Sequence, residues 1–221
     1  MFYSNDRFPW TRVLEDNWPV IREEVARLEP EAFIPWPNQK MYTNEWSLFG
    51  FYGFGRRFDL MCEACPRTAE IVARIPGMTT AVLSAMGPGT HLPPHVGSTK
   101  AVLRCHLGVM VPDGCRIRVG NEVLAWEDGK AMVFDDTYEH EVWNDSDRRR
   151  VNLILDFWKP WSIPGDRLKR LKHRAAIKFN RKRSDVLEFI NEQYEAQKAQ
   201  AERLERIGAE ARDAAETVKA P

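Results

Sequence analysis

The sequence predicts a mainly β fold with flanking α-helices: a sandwich or barrel of short strands, such as a jelly roll. Three observations predict it. From about residue 79 to 158, apolar residues recur at every second position, the period of a strand with one buried face. Turn signals cut that stretch into short runs, as in all-β sandwiches and barrels. On either side the pattern becomes helical. Three segments follow: 1–78, helical and aromatic, packed on the core; 79–163, the jelly-roll core; and 164–221, a basic and then mixed-charge helical extension.

In the first segment, "DNWPVIREEVARL" places Asn17 as an N-cap and Pro19 in the first turn. Val20, Ile21, Val25 and Leu28 then share one helical face. Residues 31–57, rich in Pro, Gly and aromatics, read as irregular or extended. Cys62 and Cys65 form a CxxC, but Cys105 and Cys115 lie ten residues apart and make no second pair. That spacing favours buried thiols over a structural zinc site.

In the core, "AVLRCHLGVMV" puts Ala101, Leu103, Cys105, Leu107, Val109 and Val111 on one face and Val102, Arg104, His106, Gly108 and Met110 on the other. "CRIRVGNEVLAW" reads as a hairpin around Gly120-Asn121. "KAMVFD", "HEVWND" and "RVNLILDFW" follow, the last with Val151, Leu153, Leu155 and Phe157 opposite Arg150, Asn152 and Asp156. After Pro164 the chain turns helical. Residues 167–183 hold nine Lys or Arg and no acid, and Ser184 caps a long charged helix to about residue 217. The basic segment is either a solvated face or a contact for an acidic carrier protein or an anionic membrane surface.

Composition bounds the function. The 32 basic side chains balance the 32 acidic ones, so overall charge gives no nucleic-acid signal. No apolar run approaches the ~18 residues of a membrane helix. The start, "MFYSNDRFPW", lacks the pattern of a signal peptide, so the expected location is cytoplasmic, with a peripheral membrane position open through the basic segment.

The chemistry concentrates in "GPGTHLPPHVGSTKAVLRCHLG" and "VFDDTYEHEVW". His95 and His140 sit in segments that read as strand edges, a placement that suits two imidazole ligands of a metal. The usual iron site adds a carboxylate two residues after the first histidine; here that position is Gly97. His91 reads as a loop residue and His173 as an exposed helical one. Arg104 and His106 share a strand face, as do Arg150 and Asn152, and Ser84 of "TTAVLSAM" lies on a strand too. These polar faces either line a cleft or meet solvent. In a cleft, two Arg, a His and a Ser can hold a dicarboxylate, because the Arg fork matches a carboxylate.

Residues 46–160 resemble the catalytic domain of the aspartyl/asparaginyl β-hydroxylase family. The motifs that carry the resemblance are "EWSLFGFYGFGRR", "MGPGTHLPPHVGSTKAVLRCHLG", "GCRIRVGNEVLAWEDGKAMVFDDTYEHEVWND" and "RRRVNLILDFWKP". The resemblance implies a double-stranded β-helix, which is a jelly roll, and a dioxygenase using Fe(II), 2-oxoglutarate and O2. It implies His95 and His140 as the iron ligands, with Gly97 where a carboxylate would stand and water in the vacant position. Asp136 is then expected to hold that water. Arg150 and Ser84 match residues that hold the distal carboxylate of 2-oxoglutarate; Arg104 and His106 match those near its C1 carboxylate.

The resemblance also sets the substrate question. Where peptide-hydroxylating relatives meet an acidic side chain with Gln and Arg, this sequence has Leu48 and Val102. Phe49, Phe51 and Tyr52 could extend an apolar wall beside Leu48. The expectation is therefore a small-molecule or lipid substrate oxidised on an aliphatic part. A charged head group would sit further out, near Arg56, Arg57 or the basic segment. Hydroxylation of aspartate, in a peptide or free or carrier-bound, is the alternative, followed by halogenation with halide beside Gly97, and by a non-catalytic jelly-roll binder.

Overall fold

The computed structural model describes residues 1–97 and 99–160 and, beyond them, positions 168, 171, 175 and 192–195. In chain order, β1 (Phe2–Tyr3) precedes α1 (Thr11–Asp16), α2 (Trp18–Val25), β2 (Ile34–Pro35), β3 (Trp46–Gly53), β4 (Arg56–Arg57), α3 (Asp59–Ala64) and α4 (Pro66–Ala73). Then come β5 (Met78–Met86), β6 (Thr90–His95), β7 (Val102–Met110), β8 (Cys115–Val119), β9 (Glu122–Ala125), β10 (Ala131–Phe134), β11 (His140–Asn144) and β12 (Arg150–Trp158). Among the described residues the strands form two sheets. The larger runs β1-β10-β7-β12-β5-β3-β2, with β4 on β3, and the smaller runs β6-β11-β8-β9. Neighbours pair antiparallel, which makes the core a jelly roll flanked by helices.

The larger sheet has two differently filled faces. Leu83, Leu103, Cys105, Leu107, Leu153, Leu155 and Phe157 are buried on the face toward the helices. There α1, α2 and α4 meet β10, β7 and β5, and Phe8 and Trp10 pack edge-on against Phe157. The opposite face meets the smaller sheet. Met86 and Phe134 join Leu92, Cys115, Ile117, Val119, Trp126 and Val142 in one apolar cluster. The polar faces of β7 and β12 point to this inner side, and His106, Arg150 and Asn152 are buried there. The choice between cleft and solvent thus falls to the cleft.

Several elements differ from expectation. The stretch 31–57 supplies β2, β3 and β4, so the sheet is not confined to residues 79–163. Phe49 and Phe51 are buried with Phe33 on the helix side, not along a cleft wall. A register shift between Gly50 and Tyr52 breaks the alternation that would reveal β3 in the sequence. His91 lies in β6 rather than a loop, opposite Trp143. Pro93 and Pro94 are tolerated because β6 is the edge of its sheet, where a missing N–H costs no ladder bond.

Asn17 precedes α2 but its side chain bonds back to Val13 O at 2.8 Å instead of capping. Helix α2 ends at Val25, leaving Leu28 outside it. Its buried Glu24 caps α4, accepting from Thr68 N at 2.7 Å and Arg67 N at 3.0 Å. All four cysteines are free and buried, and burial pushes the Cys65 thiol up to about 12.

The chain divides into units 1–180 and 181–221. In the first, Leu168, Leu171 and Ala175 are helical and exposed. In the second, positions 192–195 are helical, with Tyr194 buried. The rest of the basic segment 167–183, His173 and the long helix expected from Ser184 lie outside the described residues. No described helix is long and apolar enough to cross a membrane.

Candidate active site

The antiparallel register of β6 and β11 sets His95 directly opposite His140, with ring centroids 4.0 Å apart. Each ring is fixed by its own strand end. The carbonyls of Pro93 and Tyr138 lie 2.8 and 3.0 Å from the Nδ1 atoms of His95 and His140. A carbonyl only accepts, so each Nδ1 carries the proton and each Nε2 keeps its lone pair. Burial, then the neighbouring His95, pushes His140 down to about 3; burial also lowers His95. Both rings are therefore neutral near pH 7, in the tautomer a metal needs. Among the described residues no group of three or more His, Cys, Asp or Glu is arranged to hold a metal. The pair offers two imidazole nitrogens to a metal.

Next to them lies a carboxylate that replaces a side chain. Gly97 N donates to Asp136 O at 2.7 Å. A Cβ on Gly97 would stand 2.3 Å from both Cγ and Oδ2 of Asp136. The space of a side chain at 97 thus belongs to the Asp136 carboxylate, which is buried and whose Oδ1 has no hydrogen-bond partner among the described residues. Burial pushes Asp136 up to about 6, against the pull of Arg104. Its neighbour Asp135 is neutralised by a buried ion pair with Lys159 and accepts from Thr137 Oγ1 at 2.7 Å. We expect Gly97→Ala to destabilise the fold by about 1–3 kcal/mol, because close-packed groups must move. The Gly97→Ala/Asp136→Ala double variant is expected to recover most of that loss. Thermal unfolding of the set checks this; additive losses would mean that the two residues do not collide.

Arg104 does not stand free. Its Nε and Nη2 bind Asp156 Oδ1 and Oδ2 at 2.8 and 3.1 Å, and Nη2 lies 3.4 Å from Asp136 Oδ2. Burial opposes the charge, yet Asp156 and then Asp136 hold the guanidinium above its ordinary value. Arg104, expected near a cosubstrate carboxylate, thus belongs to an ion-pair cluster with Asp156 and Asp136.

Deeper in the cleft the situation reverses. Arg150 is 2% exposed, and its Nε and Nη1 have no partner among the described residues. Burial pushes it down to about 10. Its guanidinium lies over Trp126, 4.5 Å from the ring. His106, stacked on Trp126 and edge-on to Phe134, also has both ring nitrogens buried and unpartnered. Burial, then Arg104 and Arg150, keeps it well below its ordinary value, hence neutral. Trp126 reaches this place because the chain after it crosses Gly108, where a Cβ would meet Glu127 O at 2.2 Å. Ser84, buried, pairs with Asn152 across the sheet and accepts from Trp46 Nε1 at 3.0 Å. A buried Arg beside a buried His, both with open polar atoms among the described residues, can receive an anion with further acceptors.

The remaining candidates spread out. Leu48 is half-buried and pairs with Ser84 across β3 and β5. Val102 is buried on the face of Arg104. Arg56 is exposed on β4, at the rim of the sheet and apart from the histidines. Asp156, Trp126 and Trp46 were missed as site residues. Asp156 had one legible signal, its place on the polar face of β12.

A family described as Aspartyl/Asparaginyl beta-hydroxylase matches residues 15–160, beginning well upstream of the motifs. The ornithine lipid ester-linked acyl 2-hydroxylase of Rhizobium tropici is 42% identical over 174 residues, 73% of this chain and 62% of that protein. The human aspartyl/asparaginyl beta-hydroxylase is 39% identical over 163 residues, 70% of this chain and 22% of that protein. The chain thus spans less than two thirds of either relative. A solved oxidoreductase of the 2OG-Fe(II) oxygenase family from Burkholderia pseudomallei superposes with a TM-score of 0.47 at 14% identity, over 62% of this chain and 76% of that one. With the match running from α1 through the whole jelly roll, the chain belongs to the aspartyl/asparaginyl beta-hydroxylase family.

Proposed function

We propose that this hydroxylase-family chain is an Fe(II)- and 2-oxoglutarate-dependent dioxygenase that hydroxylates an unactivated C–H bond on an aliphatic part of its substrate. The observation that carries the reading is the buried Arg150, a cation whose Nε and Nη1 have no partner among the described residues, in the same cleft as two neutral imidazoles whose Nδ1 atoms face backbone carbonyls. His95 and His140 would hold the iron; Arg150 would hold the distal carboxylate of 2-oxoglutarate, with Ser84 beside it. When bound, iron, 2-oxoglutarate and O2 supply the oxidising power. The protein supplies the rest. The Pro93 and Tyr138 carbonyls lock the imidazole tautomers, Trp126 and Phe134 keep water from the cosubstrate, and Asp136 Oδ1 offers an acceptor close to the histidines.

The substrate side favours an aliphatic group. Leu48 and Val102 offer no donor to an acidic side chain, and Arg104 is already held by Asp156 and Asp136. Burying a substrate carboxylate there unpaired costs several kcal/mol, on the order of a buried unpaired ion. The rhizobial relative is named for action on an acyl chain, which agrees with a lipid or an aliphatic amino-acid derivative. Halide beside Gly97 is disfavoured, because the Asp136 carboxylate fills that space. The nine cations of 167–183 then suit an anionic membrane surface or acidic carrier and a peripheral, cytoplasmic enzyme.

The deciding experiment offers the protein, with Fe(II), 2-oxoglutarate and O2, three substrate sets: aspartyl peptides, free aliphatic amino-acid derivatives, and acyl lipids in anionic or neutral vesicles. A mass gain of one oxygen on an aliphatic compound, coupled to succinate, is expected, with anionic vesicles outperforming neutral ones if the substrate is a lipid. Efficient hydroxylation of the aspartyl peptide alone would overturn the substrate class.

A further inference from the structure

Asp156 belongs to the ion cluster beside the histidines and has no part in the proposed chemistry. It lies opposite Arg104 in the β7–β12 register and takes both Nε and Nη2 of the guanidinium, at 2.8 and 3.1 Å. Arg104 Nη2 in turn lies 3.4 Å from Asp136 Oδ2. The Asp136 carboxylate is pressed against Gly97, two residues from His95, and its Oδ1 is buried without a partner. Asp135 is itself paired with Lys159. Among the described residues Arg104 is the cation ion-paired with Asp136, and it is oriented by Asp156. Were Asp156 absent, the Arg104 fork would be free to turn onto Asp136 and engage both of its oxygens, as Arg–carboxylate pairs do.

We propose that Asp156 is a positioning residue: it occupies the Arg104 fork so that only Asp136 Oδ2 is held, leaving Asp136 Oδ1 as an acceptor for a group bound at the His95–His140 pair. This rests on the two-histidine metal reading above. The consequence is a three-link chain, Asp156 to Arg104 to Asp136, that ties a strand of the larger sheet to the metal-facing loop. Such outer partners typically govern metal affinity by about 10–100-fold.

The test is Co(II) titration of the protein, followed by its visible d–d spectrum, which reports the ligand field without any turnover. Asp156→Asn, nearly isosteric but uncharged, is expected to shift the spectrum and weaken Co(II) binding by about tenfold or more. Asp156→Glu is expected to restore both in part. Arg104→Lys keeps the charge but loses the fork, so it is expected to shift the spectrum in the same way even if Asp156→Asn fails to fold. In an Arg104→Gln background Asp156→Asn is expected to add nothing, because it acts through Arg104. Wild-type spectrum and affinity in Asp156→Asn or in Arg104→Lys, or full additivity with Arg104→Gln, would overturn the positioning role while leaving the metal site intact. Wild-type Co(II) binding by His140→Ala would overturn the metal reading and this inference with it.

Discussion

Replacing His140 with alanine is expected to abolish iron-dependent turnover and leave the fold standing. In the proposed site the imidazole is one of two protein donors, set opposite His95 by the β6–β11 register. The loss is expected to exceed the about 10–100-fold that follows from disturbing a ligand's outer partner. The structural cost is small by comparison. The ring is buried, and its one bond, to Tyr138 O, contributes about 1 kcal/mol. Iron content, succinate release and thermal unfolding measured on one preparation separate the two effects. His91→Ala is the control. That ring pairs with Glu141 at 2.8 Å and stacks on Trp143, on the other face of β6, so it is expected to keep turnover. Undiminished decarboxylation of 2-oxoglutarate by His140→Ala would remove the histidine from the metal.

Arg150 carries the second large effect, and its sign differs between binding and folding. Arg150→Met is expected to raise the KM for 2-oxoglutarate by about 30-fold or more, since a buried carboxylate losing its charged partner costs about 2–5 kcal/mol. The same substitution is expected to leave the ligand-free protein as stable or more so. The wild-type guanidinium is held below its ordinary value by burial, so the folded state binds its proton less readily than the unfolded state does. That penalty is fully present at neutral pH and fades only as the pH rises past about 10. Removing an uncompensated buried charge for a residue of similar volume relieves it. Arg150→Lys is expected to recover binding only in part, because the fork is lost. Thermal shifts with and without 2-oxoglutarate read both effects. A strongly destabilised apo Arg150→Met protein with normal cosubstrate affinity would make Arg150 a structural residue.

The jelly roll was legible because each strand of residues 101–111 and 150–158 carries its own period of two. The histidine pair was legible through motif rather than geometry. Nothing local says that His95 and His140 face each other; the β6–β11 register decides that. Periodicity separated the polar from the apolar face of β7 but could not say which one meets solvent. Trp126 and Phe134, brought in by other segments, settle it by covering His106. The partners of Arg104 were hidden for a related reason. Its carboxylate partner lies 52 residues away and becomes a neighbour only through strand pairing. The contact at Gly97 was not legible either, because the Asp136 carboxylate packed against it arrives from the loop before β11.

The burial of every cysteine has a practical consequence for spectroscopy. Cys62, Cys65, Cys105 and Cys115 are all screened from solvent, and burial holds each thiol above its ordinary value. At neutral pH they present almost no thiolate, the form that alkylating reagents attack. A single cysteine placed at Tyr138, which is 46% exposed two positions before His140, would therefore be the one reactive thiol among the described residues. A nitroxide or fluorophore attached there would report on the mouth of the cleft in the otherwise natural chain, with no background thiols to remove first.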